Sequence, residues 1–196
     1  MFTISPCAAG CGRPAISGSN ICFIHQANQE QEAARINALI SHEKTVKDLV
    51  VTGMYFNRMD FSGRNFFGCN FREARFSKCS FAGSFMRMCF FDFADFVDCD
   101  FSKSDLQFLS FAGAQIVSCS FENSEVAHIN FMGATVSDTS FCYSNLYNSR
   151  FISSELENVK FIDCNVKRVN YTNARQVNVN FETSNTAEAL FELEEI

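Results

Sequence analysis

Four residues near the N-terminus have the types and the spacing to hold a metal ion. Cys7 and Cys11 are separated by three residues, Cys22 and His25 by two, and ten residues lie between the pairs. Three thiolates and an imidazole in two close pairs match the donors and the reach of a tetrahedral zinc ion. Gly10 and Gly12 relax the first turn, and both prolines of the chain, Pro6 and Pro14, fall in the same stretch. Four protein ligands close the shell and leave no position for a reacting water, so the predicted role of the ion is structural rather than catalytic. A segment this short cannot bury a core of its own, and metal binding would supply most of its stability. The alternative reading is three free thiols beside a solvent-exposed His25.

Whatever holds this cluster in place must come from the residues that follow. Residues 26–42 are rich in helix formers and contain neither Gly nor Pro, which predicts a helix. Ala34, Ile36, Leu39 and Ile40 give it a narrow apolar stripe suited to covering the open end of a larger body, and His42 closes it. Val46, Leu49 and Val51 already carry the register of the region beyond and predict an imperfect first coil.

That region is periodic. An aromatic or aliphatic residue returns every fifth position from Phe56 to Phe181 without a slip of phase, over twenty-six units of which only the one centred on Gln176 is polar. Sixteen unit centres are Phe; the others are Met86, Leu106, Ile116, Val126, Val136, Leu146, Leu156, Val166, Tyr171 and Gln176. A period of five fits neither a helix nor a strand, so the repeat itself is the structural unit. If the centre (position i) and the residue at i−2 point inward and the other three outward, each unit turns roughly a right angle and about four units close one square coil. Reading every twentieth residue then recovers columns. Phe61, Phe81, Phe101, Phe121, Phe141, Phe161 and Phe181 form one, Phe71, Phe91, Phe111, Phe131, Phe151 and Tyr171 the opposite one, and the remaining two are more aliphatic. The i−2 positions sort equally well, with Ala74, Ala94, Ala114 and Ala134 in one column and Ser84, Ser104, Ser124 and Ser144 in another. Coils stacked at ~4.8 Å would lay like residue on like. Each buried ring contributes ~1.5–3 kcal/mol.

Asp60-Phe61, Asn70-Phe71, Asp100-Phe101, Asp105-Leu106, Asn130-Phe131, Asn145-Leu146 and Asn180-Phe181 each set Asp or Asn before a Leu or Phe centre, and two variable residues follow. In this the segment resembles the pentapeptide-repeat family. The resemblance implies an all-β solenoid, a right-handed quadrilateral β-helix of about six to seven coils, here with an N-terminal zinc knuckle and helical caps. The Cys3His stretch looks like the small zinc modules attached to many bacterial proteins. The predicted organisation is a zinc-binding module at 1–25, a helical linker at 26–43, the β-helix at 44–184 and a C-terminal capping helix at 185–196. In that last helix Thr186 is the expected N-cap and Leu190, Phe191 and Leu193 plug the final coil. Because related pentapeptide proteins dimerise through C-terminal elements, the same segment could pair two molecules end to end.

Composition narrows the function classes. No window of ~18 apolar residues suggests a membrane span, and Met1-Phe2-Thr3-Ile4 lacks the basic start of a secretory signal, so a cytoplasmic protein is expected. In that compartment the ten cysteines are read as thiols. Cys69 and Cys89, and Cys79, Cys99 and Cys119, recur at i−2 as small packing residues; Cys164 does the same, and Cys142 alone in the solenoid points outward. A net charge of −6 argues against direct nucleic-acid binding. Acid is concentrated in Asp92, Asp95, Asp98, Asp100, Asp105, Glu122, Glu125 and Asp138, with Lys103 the one base among them, whereas Arg150, Lys160, Lys167, Arg168 and Arg175 make the C-terminal third mixed. These acids are either a solvated exterior or a surface for a basic partner.

Gly63, Gly83, Gly113 and Gly133 all fall at i+2, where the corner of a coil calls for positive φ. Arg64 and Gln176 break the inward code near the solenoid ends, where a side chain can escape to solvent. Phe85, Met88, Phe90, Phe93 and Phe108 occupy outward positions mapped around one corner. They predict a contact surface, for a partner or for the protein's own knuckle folded back.

No nucleophile elbow or phosphate loop accompanies the three histidines, His128 sits at an outward i+2 position, and the serine column lacks a base, so no enzyme is expected. Two binding functions remain. One is a rigid scaffold for a protein partner. The other, implied by the resemblance, is mimicry of a DNA duplex in the modulation or protection of a type II topoisomerase, as in quinolone resistance. A continuous negative stripe along the solenoid would favour the second.

Overall fold

The computed structural model describes residues 4–192. Three-residue strands centred on Val46, Phe66, Met86, Leu106 and Val126 form one parallel sheet, and strands centred on Phe56, Phe76, Phe96, Ile116, Val136, Leu156 and Gln176 form a second. Each centre pairs with the residue twenty positions on, as Phe66 does with Met86 and Phe96 with Ile116. The two remaining sides are joined by single parallel bridges, Asp60 to Ser80 to Asp100 on one and Asn70 to Phe90 to Ser110 on the other. The result is a parallel β-solenoid of about seven turns. Val46, Leu49 and Val51 are buried in a complete first coil. Among the described residues no helix is long and apolar enough to cross a membrane.

The right angle is made at i+2. Every i+2 residue from Asp48 to Thr183 has positive φ, and the non-glycine ones span 49° to 62°. The left-handed conformation costs an L-residue roughly 1–2 kcal/mol. Inter-coil hydrogen bonds hold it: the Lys103 N–H donates to the Glu122 carbonyl at 2.9 Å, and the Phe93 N–H to that of Ala112 at 2.9 Å. Glycine is therefore optional at the corners.

Inside, the Phe61 column stacks with centroids 4.5–5.0 Å apart and planes within 12°. The Phe71 column opposite does the same at 4.5–5.3 Å and meets it edge to face, as Phe111 meets Phe121 at 6.2 Å. The polar i−2 residues do more than pack. Ser104, Ser124 and Ser144 donate to the carbonyls of Phe81, Phe101 and Phe121 at 2.8, 2.8 and 2.6 Å, and the Cys79 and Cys99 thiols donate to those of Phe56 and Phe76 at 3.5 Å. Each fills the second lone pair of a buried carbonyl. Cys142, read as outward, is buried.

Tyr171 is the one ring in its column that carries a hydroxyl, and that buried hydroxyl has no hydrogen-bond partner. Burial also pushes its ionisation well above the ordinary value. An orphaned buried donor costs ~1–3 kcal/mol. Tyr171→Phe should therefore raise the denaturation midpoint, and a lowered midpoint would show that the hydroxyl is bonded in solution.

At the N-terminal end the helix α1 (Gln29–His42) buries Ile36 and Ile40 against the first coil. It starts later than the composition suggests because Phe23–His25 form a 3-10 turn and the Asn28 side chain caps α1, accepting from the Gln31 N–H at 3.0 Å. Ala34, assigned to its apolar stripe, faces solvent, while Ala33 packs on the core. Arg64 does not escape to solvent alone. Its guanidinium donates to the Ile40 and Ser41 carbonyls at 2.9 and 3.1 Å, satisfying the C-terminal turn of α1.

The C-terminal end departs from expectation. Instead of a helix capped by Thr186, residues Thr186–Glu188 make one 3-10 turn, with no side-chain cap, and Leu190 returns to the ladder opposite Asn170. The Leu190 N–H donates to Val169 at 2.9 Å and its carbonyl accepts from Tyr171 at 2.6 Å, while Phe191 stacks on Tyr171 at 5.1 Å. Continuing the ladder satisfies backbone groups that a short helix would leave open. Leu193 lies outside the described residues, and Gln176 is exposed on the last strand.

Candidate functional site

The first knuckle is a tight hairpin closed by a bridge between Pro6 and Pro14, and within it the Gly10 N–H donates to the Cys7 carbonyl at 2.9 Å. The second is the 3-10 turn that brings His25 back over Cys22, with the His25 N–H on the Cys22 carbonyl at 3.1 Å. Together they gather Cys7, Cys11, Cys22 and His25 so that all four donor atoms lie within 4.8 Å of one another. The Cys7 and Cys22 sulfurs are 3.4 and 3.5 Å from His25 Nδ1, and the Cys11 and Cys22 sulfurs are 3.7 Å apart. A tetrahedral ion with ~2.3 Å bonds to sulfur sets its donors ~3.7 Å apart, so the set fits. The backbone N–H of Cys22 donates to Cys7 Sγ at 3.2 Å and holds that thiol down at about 6, primed as a thiolate, while burial pushes the Cys22 thiol up.

The module is docked on the solenoid through Ser17. Its N–H donates to the Val50 carbonyl at 2.9 Å and its hydroxyl accepts from the Val50 N–H at 2.8 Å. Ala15 and Ile16 are buried beside this joint, and the Arg35 guanidinium donates to the Ser17 carbonyl.

The outward aromatic residues divide. Met88 and Phe108, 59% and 55% exposed, stand in one column on one corner. Phe108 stacks on His128 at 4.9 Å, and His128 meets Tyr147 edge to face at 5.6 Å. Phe85 lies beside Phe67 at 5.6 Å with the Arg87 guanidinium 3.9 Å above it, and Arg72 lies 4.8 Å above Phe90. Both rings are half-buried. Phe93 does not join them. It is 67% exposed on the next corner, with its ring over Gly113, where a Cβ would come within 2.6 Å of Phe93 Cε1. The sequence reading missed Phe67, His128 and Tyr147, although the twenty-residue step applied to outward positions puts His128 in the column of Met88 and Phe108 and aligns Phe67 with Tyr147. The knuckle borders the patch without covering Met88 or Phe108: Ile4, Lys47, Asp48, Phe67, Gly68, Arg72, Met88 and Phe90 line a cavity of about 500 Å³ between them.

The acids do not form a stripe. Asp92 is buried, not on the surface, because its carboxylate accepts from Arg72 Nε at 2.7 Å and from the Ser110 hydroxyl. Asp95 pairs with Arg75 at 3.3 Å and Asp105 with Arg87 at 2.8 Å. Glu122, Glu125 and Asp138 accept from Ser140, Asn145 and Asn158 at 2.6, 2.7 and 3.0 Å. Asp100 accepts from the Ser102 N–H at 2.8 Å, and Asp98 is exposed. By register, Asp105 and Glu125 flank the Leu106 side, Asp92 the Phe91 side, Asp95, Asp98 and Asp138 the Ile116 side, and Asp100 and Glu122 the Phe101 side.

Comparison with known proteins gives the same fold. The profile of pentapeptide repeats matches residues 51–83 and 91–123, and that of the pentapeptide repeat region matches 114–191. A trypsin-treated form of QnrB1, a plasmid-mediated fluoroquinolone resistance protein, is 21% identical with a TM-score of 0.57, over 75% of this chain and 78% of that one. HetL, a pentapeptide repeat protein involved in heterocyst differentiation regulation from the cyanobacterium Nostoc, is 10% identical with a TM-score of 0.34, over 81% and 95% of the two chains. No curated protein sequence matches. With its repeats matched from residue 51 to residue 191 across one short gap, and wound into coils of twenty residues, this chain belongs to the pentapeptide-repeat family.

Proposed function

We propose that the protein is a non-enzymatic, cytoplasmic scaffold for protein–protein interaction, in which a rigid β-helix presents one aromatic corner to a partner. The observation that carries this reading is the pair Met88 and Phe108, stacked on one corner and each more than half exposed. Apolar side chains exposed together in such a cluster mark a contact surface, because docking takes their area out of water. Phe85 and Phe90 widen the patch, and Phe93 serves a separate contact or none. In the knuckle, Cys7, Cys11, Cys22 and His25 hold a structural zinc ion that fixes the module against the first coil. The C-terminal coil, with Leu190 and Phe191 at its edge, is where two copies would pair.

The test is capture of partners on the tagged full-length protein and on a Phe90→Ser, Phe108→Ser double variant. Partners retained by the parent should be lost by the variant, and equal recovery would remove the corner from the function. A second reading, modulation of a type II topoisomerase by duplex mimicry, is favoured by the fold shared with QnrB1 at a TM-score of 0.57. The division of acid among all four sides, much of it already paired, weighs toward the scaffold. Adding the protein to a gyrase supercoiling reaction separates the two, because a mimic inhibits or protects and a scaffold does neither.

A further inference from the structure

Five cysteines of the solenoid fall into two ladders in different settings, Cys69 and Cys89 in one and Cys79, Cys99 and Cys119 in the other. Cys69 and Cys89 are sealed inside. Cys99 and Cys119, 2% and 4% exposed, instead contribute to the lining of an open groove of about 550 Å³ on the corner between the Ile116 and Phe101 sides. Asp98, Asp100 and Asp138 stand along its walls, with Lys160 at one end. The neighbouring residues Asp100 and Ser120 are bridged in register, and the Ser120 N–H donates to the Cys99 carbonyl at 3.0 Å, so the two cysteines occupy successive rungs.

We infer that the Cys99–Cys119 rung is a two-coordinate site for a soft monovalent metal ion such as Cu(I), entered from the acidic groove. Rungs of a parallel ladder lie ~4.8 Å apart, and twice a metal–thiolate bond of ~2.3 Å is ~4.6 Å, so a linear S–M–S unit spans one coil step without moving the backbone. Soft thiolates select such ions over Mg²⁺ or Ca²⁺. The carboxylates raise the local concentration of cations at the mouth. Binding is a substitution without electron transfer: two S–H bonds break, two S–M bonds form and two protons leave to solvent. The complex carries one net negative charge, which the Lys160 ammonium at the end of the groove partly offsets.

Silver(I), which binds thiolates in the same linear geometry and stays in one oxidation state, is the probe. Zinc-loaded full-length protein is titrated with silver nitrate in chloride-free buffer, with native mass spectrometry for stoichiometry, near-ultraviolet absorbance for silver–thiolate bonds and a chromophoric chelator for released zinc. One silver ion should bind before zinc leaves the knuckle, and Cys99→Ser or Cys119→Ser should abolish that binding while Cys89→Ser leaves it intact. Serine at i−2 keeps the hydrogen bond to the carbonyl, as Ser104 and Ser124 do, and Cys119→Thr copies Thr139 on the next rung, so folding of at least one variant is secured. Silver uptake unchanged in both Cys119 variants, or uptake only as zinc is displaced, overturns the proposal.

Discussion

Phe121→Ala should destabilise the solenoid by ~3–5 kcal/mol, the range for removing a fully buried ring whose surroundings cannot collapse. Phe121 is completely buried between Phe101 at 4.6 Å and Phe141 at 4.7 Å, with Phe111 and Phe131 edge-on at 6.2 and 6.4 Å. Collapse is prevented because the backbone on either side is pinned: the Phe121 N–H donates to Ser140 at 2.7 Å and the Phe121 carbonyl accepts from the Ser144 hydroxyl at 2.6 Å. In a one-dimensional array the change also weakens both neighbouring interfaces, so the loss spreads along the stack. Phe181→Ala, at a half-buried ring near the end of the same column, should cost clearly less. Denaturant unfolding of both variants decides the matter, and equal losses would mean that the coils do not share load through the ring columns.

Stripping the proposed zinc should unfold the knuckle and leave the solenoid standing. In modules of this size metal binding contributes ~10–16 kcal/mol, which is essentially the whole folding free energy. Little else could replace it here. Cys11 and His25 are exposed, and the backbone bonds of the hairpin, such as Cys7 N–H to Arg13 at 2.9 Å, close only a few residues. Chelation, or Cys22→Ala, should remove about one zinc equivalent and abolish amide protection in residues 7–25, while the amides of the Phe101 and Phe121 coils stay protected. Because the thiols must lose protons to bind, affinity falls as pH is lowered. A knuckle whose exchange is unaltered after complete chelation would contradict this.

Most of the ladder is legible in the sequence, because a five-residue period leaves a single inward set and the step of twenty then fixes which residue lies on which. The gathering of Cys7, Cys11, Cys22 and His25 was legible for a similar reason, since short spacings limit where a pair can point. What escaped was decided by neighbours far away in sequence. Nothing local to Asp92 announces the Arg72 and Ser110 groups that bury it, nor local to Arg64 the open carbonyls of α1. Positive φ at Met88 or Lys103 is likewise invisible to residue preference, because the stack supplies the bonds that hold it. Thr186 misled for the opposite reason: its surroundings favour a helix locally, and the pull of one further rung prevailed.

Register between Phe66 and Met86, or Phe96 and Ile116, ties every residue to a fixed place on its square, and this limits how such a chain can change length. Losing one amino acid near the middle would rotate everything downstream by a fraction of a side, drive polar groups into the lumen and leave rings in water. Removing a full circuit, from one Phe to its counterpart above, would merely shorten the tower. The protein can thus be resized in whole storeys, with the groove and the aromatic corner growing or shrinking by single steps.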